Sequence, residues 1–287
     1  MKLKQYRFAL VAVLLLCGMA WNAEAKKQKP TVYFIGDSTV RHGVKGDGSE
    51  DARWGWGAMT NTLFNTDKVN LENRALGGMS SRTFYNQLWP CVIDDIKKGD
   101  YLFIQFGHND GGSSYTGPRG KSSIRGNGEE TVTAEENGRT ETVHTFGWYI
   151  RAYITEAQAK GATVFVCSLI PRNNWNNGAM GRNTNDYALW AKEAAEQTGA
   201  YFIPLNDLCA DFYTALGQEK TTGVYYPAND YVHTTMEGAK QNARLVMGYV
   251  QEHFPKVKIN KYIVKEKADD GKYPGMTAGM PTCTMAR

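Results

Sequence analysis

The sequence predicts a doubly wound α/β domain built on a central parallel sheet. Three observations carry that expectation. Several short runs are apolar at consecutive rather than alternate positions, the mark of strands buried on both faces. Segments with apolar residues at helical spacing lie between them, and most of the links are short. Strand-then-helix repetition of this kind uses right-handed crossovers and gathers active-site residues at the carboxyl ends of the strands.

Taken in order, the first strand is expected over residues 31–35, β-branched and aromatic, ending at Gly36. Residues 69–76 form a weaker strand candidate. Residues 101–106 are a second continuous run, interrupted only by Gln105. Residues 111–142 break the rhythm. Rich in Gly, Ser, Thr and charge and without an apolar period, they read as a long loop overhanging the carboxyl edge, either facing substrate or making a surface excursion. Phe146, Tyr149, Ile150, Tyr153, Ile154 and Ala157 then recur at helical spacing, and Lys160-Gly161 closes that helix. A third run, 162–170, ends at Pro171, and a helix over 186–197 is stopped by Gly199. A short strand over 201–204 follows. The last helix, 237–253, carries Ala239, Ala243, Val246, Met247 and Val250 on one side, with Pro255 just beyond it.

The bulk numbers fit such a domain. The 287 residues are 42% hydrophobic and 22% charged, which excludes a disordered chain. A formal net charge of +4, spread along the length, gives no basic block of the kind nucleic acid requires, so no nucleic-acid partner is expected. The start differs from the rest. Lys2, Lys4 and Arg7 precede an apolar stretch that runs to about Ala20, and Ala23-Glu24-Ala25 makes a small-x-small site. This is the layout of a secretory signal peptide cleaved after Ala25. Leu16 before Cys17 disfavours lipidation, and the apolar stretch is shorter than the ~20 residues of a membrane span.

The expected organisation is therefore a signal peptide (1–25), one catalytic domain (26–260) and a C-terminal tail (261–287). The protein is expected to be exported to the periplasm or beyond the cell, monomeric and free of the membrane after cleavage. Cys91, Cys167, Cys209 and Cys283 are widely spaced. Export permits disulfides, although a chain of this size does not depend on them, and Cys167 inside an apolar run is expected as a buried thiol. No pair has metal-ligand spacing, which disfavours zinc, and the serine chemistry to which the strand ends point needs no metal or other cofactor, so none is expected.

The expected strand ends carry polar residues of a matching kind: Gly36-Asp37-Ser38, Asn73 to Gly78, and Gly107-His108-Asn109-Asp110. Asp230-Tyr231-Val232-His233 stands just before the last helix. Acyl transfer by a serine needs a hydroxyl, a base, a group that orients the base, and donors for the oxyanion. Ser38, His233 and Asp230 meet the first three requirements. The backbone N–H groups of Ser38 and Gly78, with the Asn109 amide, meet the fourth. The three-residue step from Asp230 to His233 lets both sit in one tight loop, the carboxylate on one ring nitrogen and Ser38 on the other. Asp37 is expected to bond the local backbone.

The blocks run in order along the chain. They are Gly36-Asp37-Ser38-Thr39, Trp54-Gly55-Trp56-Gly57, Phe106-Gly107-His108-Asn109-Asp110-Gly111-Gly112-Ser113, Thr145-Phe146-Gly147-Trp148-Tyr149, Pro171-Arg172-Asn173, and 230–234. Together they resemble the SGNH (GDSL-type) hydrolases and, among these, the rhamnogalacturonan acetylesterases of carbohydrate esterase family twelve. The resemblance spans residues 30–255. It implies a flavodoxin-like three-layer α/β/α sandwich, a Ser38–His233–Asp230 triad, and Gly78 and Asn109 as oxyanion donors. Gly78 is preferred over Gly77 because it directly precedes Met79-Ser80. Met79 stands where the family usually has arginine.

Trp54 and Trp56 are candidates for sugar stacking or for the core. His108 is a candidate for the site or its support, and Arg119 and Arg125 for contact with uronic carboxylates. The expected substrate is an acetylated plant cell-wall polysaccharide, with rhamnogalacturonan foremost. A lipase, arylesterase or thioesterase of broad specificity is the alternative, and a non-catalytic carbohydrate-binding protein a third reading.

Overall fold

The computed structural model describes residues 29–41, 53–112, 114–117 and 120–275. The segment expected to be a signal peptide, with Cys17, and also Arg119 and Cys283, lie outside them. Five strands form one parallel sheet: β1 (Thr31–Gly36), β2 (Asn70–Asn73), β3 (Tyr101–Gln105), β6 (Thr163–Cys167) and β9 (Tyr201–Ile203), in the order β2-β1-β3-β6-β9, while β7 (Trp175–Asn176) and β8 (Ala179–Met180) pair as a short separate hairpin. The chain thus starts near the middle of the sheet, steps out to one edge, and returns past β1 to build the other half. That is the flavodoxin-like order, with its switch point between β1 and β3. In register, Val32 of β1 pairs with Leu71 on one side and Tyr101 on the other.

Alternation along each strand fills two cores. Val32, Phe34, Tyr101, Phe103, Phe165 and Cys167 point to one face, where they meet a 3-10 helix (Trp56–Thr62) and the helices Leu205–Leu216 and Met236–His253. Tyr33, Ile35, Leu102, Ile104, Val164 and Val166 point to the other. There they meet the helices Ser81–Gln87, Trp89–Asp95, Phe146–Ala159 and Tyr187–Thr198. This is a three-layer α/β/α sandwich. Three of the four longest helices begin on a side-chain cap: Thr145 accepts from Trp148 N–H, Asp186 from Tyr187 N–H, and Thr235 from Gly238 N–H; Leu205–Leu216 follows Pro204 without one. Gly199 ends Tyr187–Thr198 in the left-handed conformation, at φ 70°.

Residues 111–142 are not the unstructured loop their composition suggests. They contain most of an antiparallel hairpin, β4 (Thr131–Glu136) and β5 (Arg139–His144), turned by Asn137-Gly138 with both residues at positive φ. Asn-Gly is the residue pair such a two-residue turn requires. Arg82, almost fully buried, ties this excursion to the body. Its guanidinium donates to both Glu141 carboxylate oxygens and to the Ser122 and Tyr115 carbonyls.

Residues 256–275 run back along the domain. Ile263 bridges to Phe64, Tyr273 packs edge-on against Trp54, and Ile259 is buried. Cys167 and Cys209 are buried free thiols. Cys91 is disulfide-bonded, its partner lying outside the described residues.

Candidate active site

The end of β1 shapes the turn that carries Ser38. Gly36 is required there by space: a Cβ on it would lie 2.5 Å from both the Gln105 carbonyl oxygen and Val40 Cγ2. Beyond it, Asp37 accepts from the Thr39 N–H and hydroxyl, and the Val40 and Arg41 N–H groups fold back onto the Asp37 carbonyl. A buried relay supports this turn from the sheet. Trp56 Nε1 donates to Gln105 Oε1, Gln105 Nε2 donates to Thr39 Oγ1, and Thr39 passes the bond to Asp37. From Asp37 to Val40, Ser38 alone is partly open to solvent.

His233 reaches Ser38 from the loop before Met236–His253. That loop is pinned across the site. Trp54 N–H donates to the Thr234 carbonyl and Thr234 Oγ1 to the Trp54 carbonyl, while the Thr235 N–H bonds the Tyr225 carbonyl. Nε2 of His233 lies 2.8 Å from Ser38 Oγ, and Nδ1 lies 2.7 Å from Asp230 Oδ2. The other Asp230 oxygen accepts from the Val232 and His233 N–H groups, at 2.9 and 3.1 Å. Partial burial pushes the Asp230 carboxyl up, but these two N–H donors and the imidazole outweigh it and hold it below its ordinary range. Arg53 Nε adds a cation 3.5 Å from Oδ2. The arrangement suits a carboxylate that favours one tautomer of His233, with the other ring nitrogen facing the Ser38 hydroxyl.

The candidate oxyanion donors stand at neighbouring strand ends. Gly78, beyond β2, sits at φ 77°, a conformation glycine reaches without strain. Among the described residues, no protein acceptor engages the Ser38 or Gly78 backbone N–H. Asn109, beyond β3, donates one amide hydrogen to the Met79 carbonyl at 3.1 Å, which fixes the side chain and leaves the second hydrogen available.

The remaining sequence candidates are arranged differently. Trp54 and Trp56 are 7% and 0% exposed, and Trp56 packs edge-on against Phe34, so the pair belongs to the core and offers no face to a sugar. Arg125 is engaged by Asp186 at 3.4 Å and lies over the Tyr187 and Trp190 rings, away from the role expected of it. His108 has both ring nitrogens buried, and burial pulls its imidazole down to about 4, so it stays neutral. It lines a cavity of about 150 Å³ with Leu169, Arg172 and Asn206. Asp110, next along, is fully buried and receives the Ser81 N–H and hydroxyl and the Ser123 hydroxyl. It anchors the start of Ser81–Gln87 and has no place in the reaction. Sequence reasoning missed Gln105 and Arg53. The first had a signal, as the one polar residue in an apolar run.

A parallel three-layer sandwich with a Ser–His–Asp relay at the carboxyl edge is an arrangement found in serine hydrolases. The chain belongs to the GDSL-like Lipase/Acylhydrolase family, whose model matches residues 34–241, and it is a carboxylic ester hydrolase. It is 33% identical to the rhamnogalacturonan acetylesterase of Emericella nidulans over 210 residues, 73% of this chain and 80% of that one. It is 28% identical to the probable rhamnogalacturonan acetylesterase YesY of Bacillus subtilis, across 82% and 98% of the two chains. Among solved structures, the YxiM protein of Bacillus subtilis superposes with a TM-score of 0.63 at 27% identity, covering 79% of this chain and 57% of that longer one. A variant of Axe2, the acetylxylan esterase of Geobacillus stearothermophilus, shares the fold, with a TM-score of 0.50 at 16% identity over 78% and 96% of the chains.

Proposed function

We propose that this protein removes O-acetyl groups from rhamnogalacturonan or a closely related acetylated pectic polysaccharide, with Ser38 as nucleophile. The observation that carries the reading is the relay Ser38 Oγ–His233 Nε2 at 2.8 Å and His233 Nδ1–Asp230 Oδ2 at 2.7 Å, at the edge where such sheets bind substrate. The names of the Emericella and Bacillus relatives support the choice of sugar.

In the first half of the cycle Ser38 Oγ attacks the acetyl carbonyl carbon and His233 Nε2 takes its proton. The carbonyl π bond opens to an oxyanion, received by the N–H groups of Ser38 and Gly78 and by the free Asn109 amide hydrogen. When the oxyanion collapses, the bond to the sugar oxygen breaks. His233 then returns the proton to that oxygen, leaving acetyl-Ser38 and a free sugar hydroxyl. In the second half water attacks the acetyl-enzyme, again losing its proton to His233, and acetate leaves with Ser38 restored. Asp230 stabilises the imidazolium in both halves without taking the proton itself. The residues suffice for this chemistry without a cofactor. A neutral Asn109 aids the oxyanion and holds product acetate less firmly than a cation would.

Export belongs to the same reading. Residues 1–25 would serve as the leader and be removed, and the disulfide at Cys91 suits an oxidising compartment. The test is acetate release from acetylated rhamnogalacturonan, homogalacturonan, xylan and mannan. The expected order has rhamnogalacturonan first. Release confined to xylan or mannan, or none from any polymer, overturns it.

A further inference from the structure

Most arginines among the described residues are matched to carboxylates: Arg82 to Glu141, Arg125 to Asp186, Arg182 to Asp207 and Asp211. At the carboxyl edge one arginine, Arg172, and one lysine, Lys121, are not. Lys121 comes from the segment ahead of the hairpin and reaches over Gly78, where a Cβ would lie 3.1 Å from its Nζ. Arg172 follows β6, and its guanidinium stands 5.3 Å from the ring centroid of Tyr231, an aromatic residue left 55% exposed two positions from His233. Among the described residues, neither cation has a carboxylate or hydrogen-bond partner.

Their backbones are nevertheless held firmly. The Asn173 N–H donates to the Tyr231 carbonyl at 2.8 Å, and the Tyr226 hydroxyl to the Pro171 carbonyl at 2.8 Å, which fixes Arg172 from both sides. Arg82 grips the carbonyl of Ser122, next to Lys121, at 2.7 Å. The sheet order then sets the geometry. Moving from β2 through β1 and β3 to β6, the edge presents Gly78 with Lys121, then Ser38, then Asn109, then Arg172. Three strand spacings separate the two ends, about 14 Å, with Ser38 between them.

We propose that Lys121 and Arg172 are two carboxylate-binding positions flanking the nucleophile, which take acidic sugars on either side of the acetylated unit, with the Tyr231 ring as an adjoining apolar surface. This rests on the polysaccharide acetylesterase reading and assigns its specificity. Lys121 acts as a mobile point charge, whereas Arg172 offers a planar fork able to hold both oxygens of one carboxylate. Their role is to select the polymer, while the bond-breaking step stays with Ser38 and His233.

The experiment compares kcat/KM for two probes, acetylated rhamnogalacturonan and acetylated xylan, in wild type and in Lys121→Gln, Arg172→Gln, Arg172→Lys and the Lys121→Gln/Arg172→Gln pair. Wild type should prefer the acidic polymer, and added salt should shrink that preference. Each Gln substitution should lower the preference about fivefold, carried by KM. The pair should lower it by roughly the product, and Arg172→Lys should recover part of it. A preference unchanged in the double variant overturns the assignment, even if both substrates are turned over more slowly. So does a wild type that treats the two polymers alike. A wild type that releases acetate from neither polymer while hydrolysing nitrophenyl acetate removes the polysaccharide reading and this assignment with it.

Discussion

Ser38 Oγ and His233 Nε2 lie 2.8 Å apart although 195 residues separate them in sequence. The fold closes that gap by placing the end of β1 beside the start of the last long helix, with Trp54 and Thr234 stitched together by two hydrogen bonds between them. The base is thus positioned by the same contacts that join the two ends of the domain.

In the proposed mechanism Asp230 orients that base. Asp230→Asn keeps the shape but lets the amide favour the wrong tautomer of His233. We expect kcat to fall about 10³–10⁴-fold with little change in KM. Steady-state kinetics on nitrophenyl acetate, alongside a thermal melt to verify folding, checks this. A loss below tenfold would show that His233 is oriented by something else.

Asn109→Ala removes one oxyanion donor and also frees the Met79 carbonyl that the amide holds. The expected loss is about 10²–10³-fold in kcat, with KM nearly unchanged because the interaction forms in the transition state. An effect expressed mainly in KM would make Asn109 a substrate-binding residue instead.

Arg82→Met breaks a nearly buried ion pair and leaves the Ser122 and Tyr115 carbonyls without their donor. A destabilisation of about 2–3 kcal/mol is expected, reduced from the fully buried case because Glu141 is partly exposed. Urea unfolding measures it. Limited proteolysis should cut first within 111–142, and an unchanged cleavage pattern would contradict the anchoring role.

Asp110 gives a pH signature. Burial pushes its carboxyl up to about 7 even though Ser81 and Ser123 donate to it. Between the unfolded value of about 3.9 and that figure, the folded chain keeps a proton the unfolded chain has lost. This group alone therefore makes stability fall as pH rises through the window, by at most about 1.4 kcal/mol per pH unit, and adds no slope above it. Asp110→Asn removes the contribution. Urea midpoints between about pH 5 and pH 8 should fall less steeply in the variant than in wild type, and parallel curves would contradict it.

Much of this was legible in the residues. Strands buried on both faces reveal themselves as unbroken apolar runs, which is why residues 31–35, 101–106 and 162–170 foretold β1, β3 and β6. Asp230 and His233 were visible because their three-residue step is a local relation. Other features depend on long-range contacts. Trp54 and Trp56 have the composition of a sugar platform, and only the fold determines that they face the core. Arg125 is engaged by Asp186, 61 residues away, a pairing no local pattern records. The hairpin was overlooked for another reason. Its strands are polar because it projects from the body, so hydrophobic period failed while the Asn137-Gly138 turn signal stood in plain view. The helix Leu205–Leu216 likewise had apolar residues at helical spacing, in Leu205, Leu208, Cys209, Phe212 and Tyr213.

The central claim is that Ser38 carries the acetyl group. Treatment with a fluorophosphonate, followed by peptide mapping and an acetate-release assay on acetylated rhamnogalacturonan, tests it most directly. The label should fall on Ser38 and abolish release in proportion to its occupancy, and Ser38→Ala should neither label nor release acetate while melting like wild type. Undiminished release by Ser38→Ala, or full labelling elsewhere with activity intact, would contradict the account.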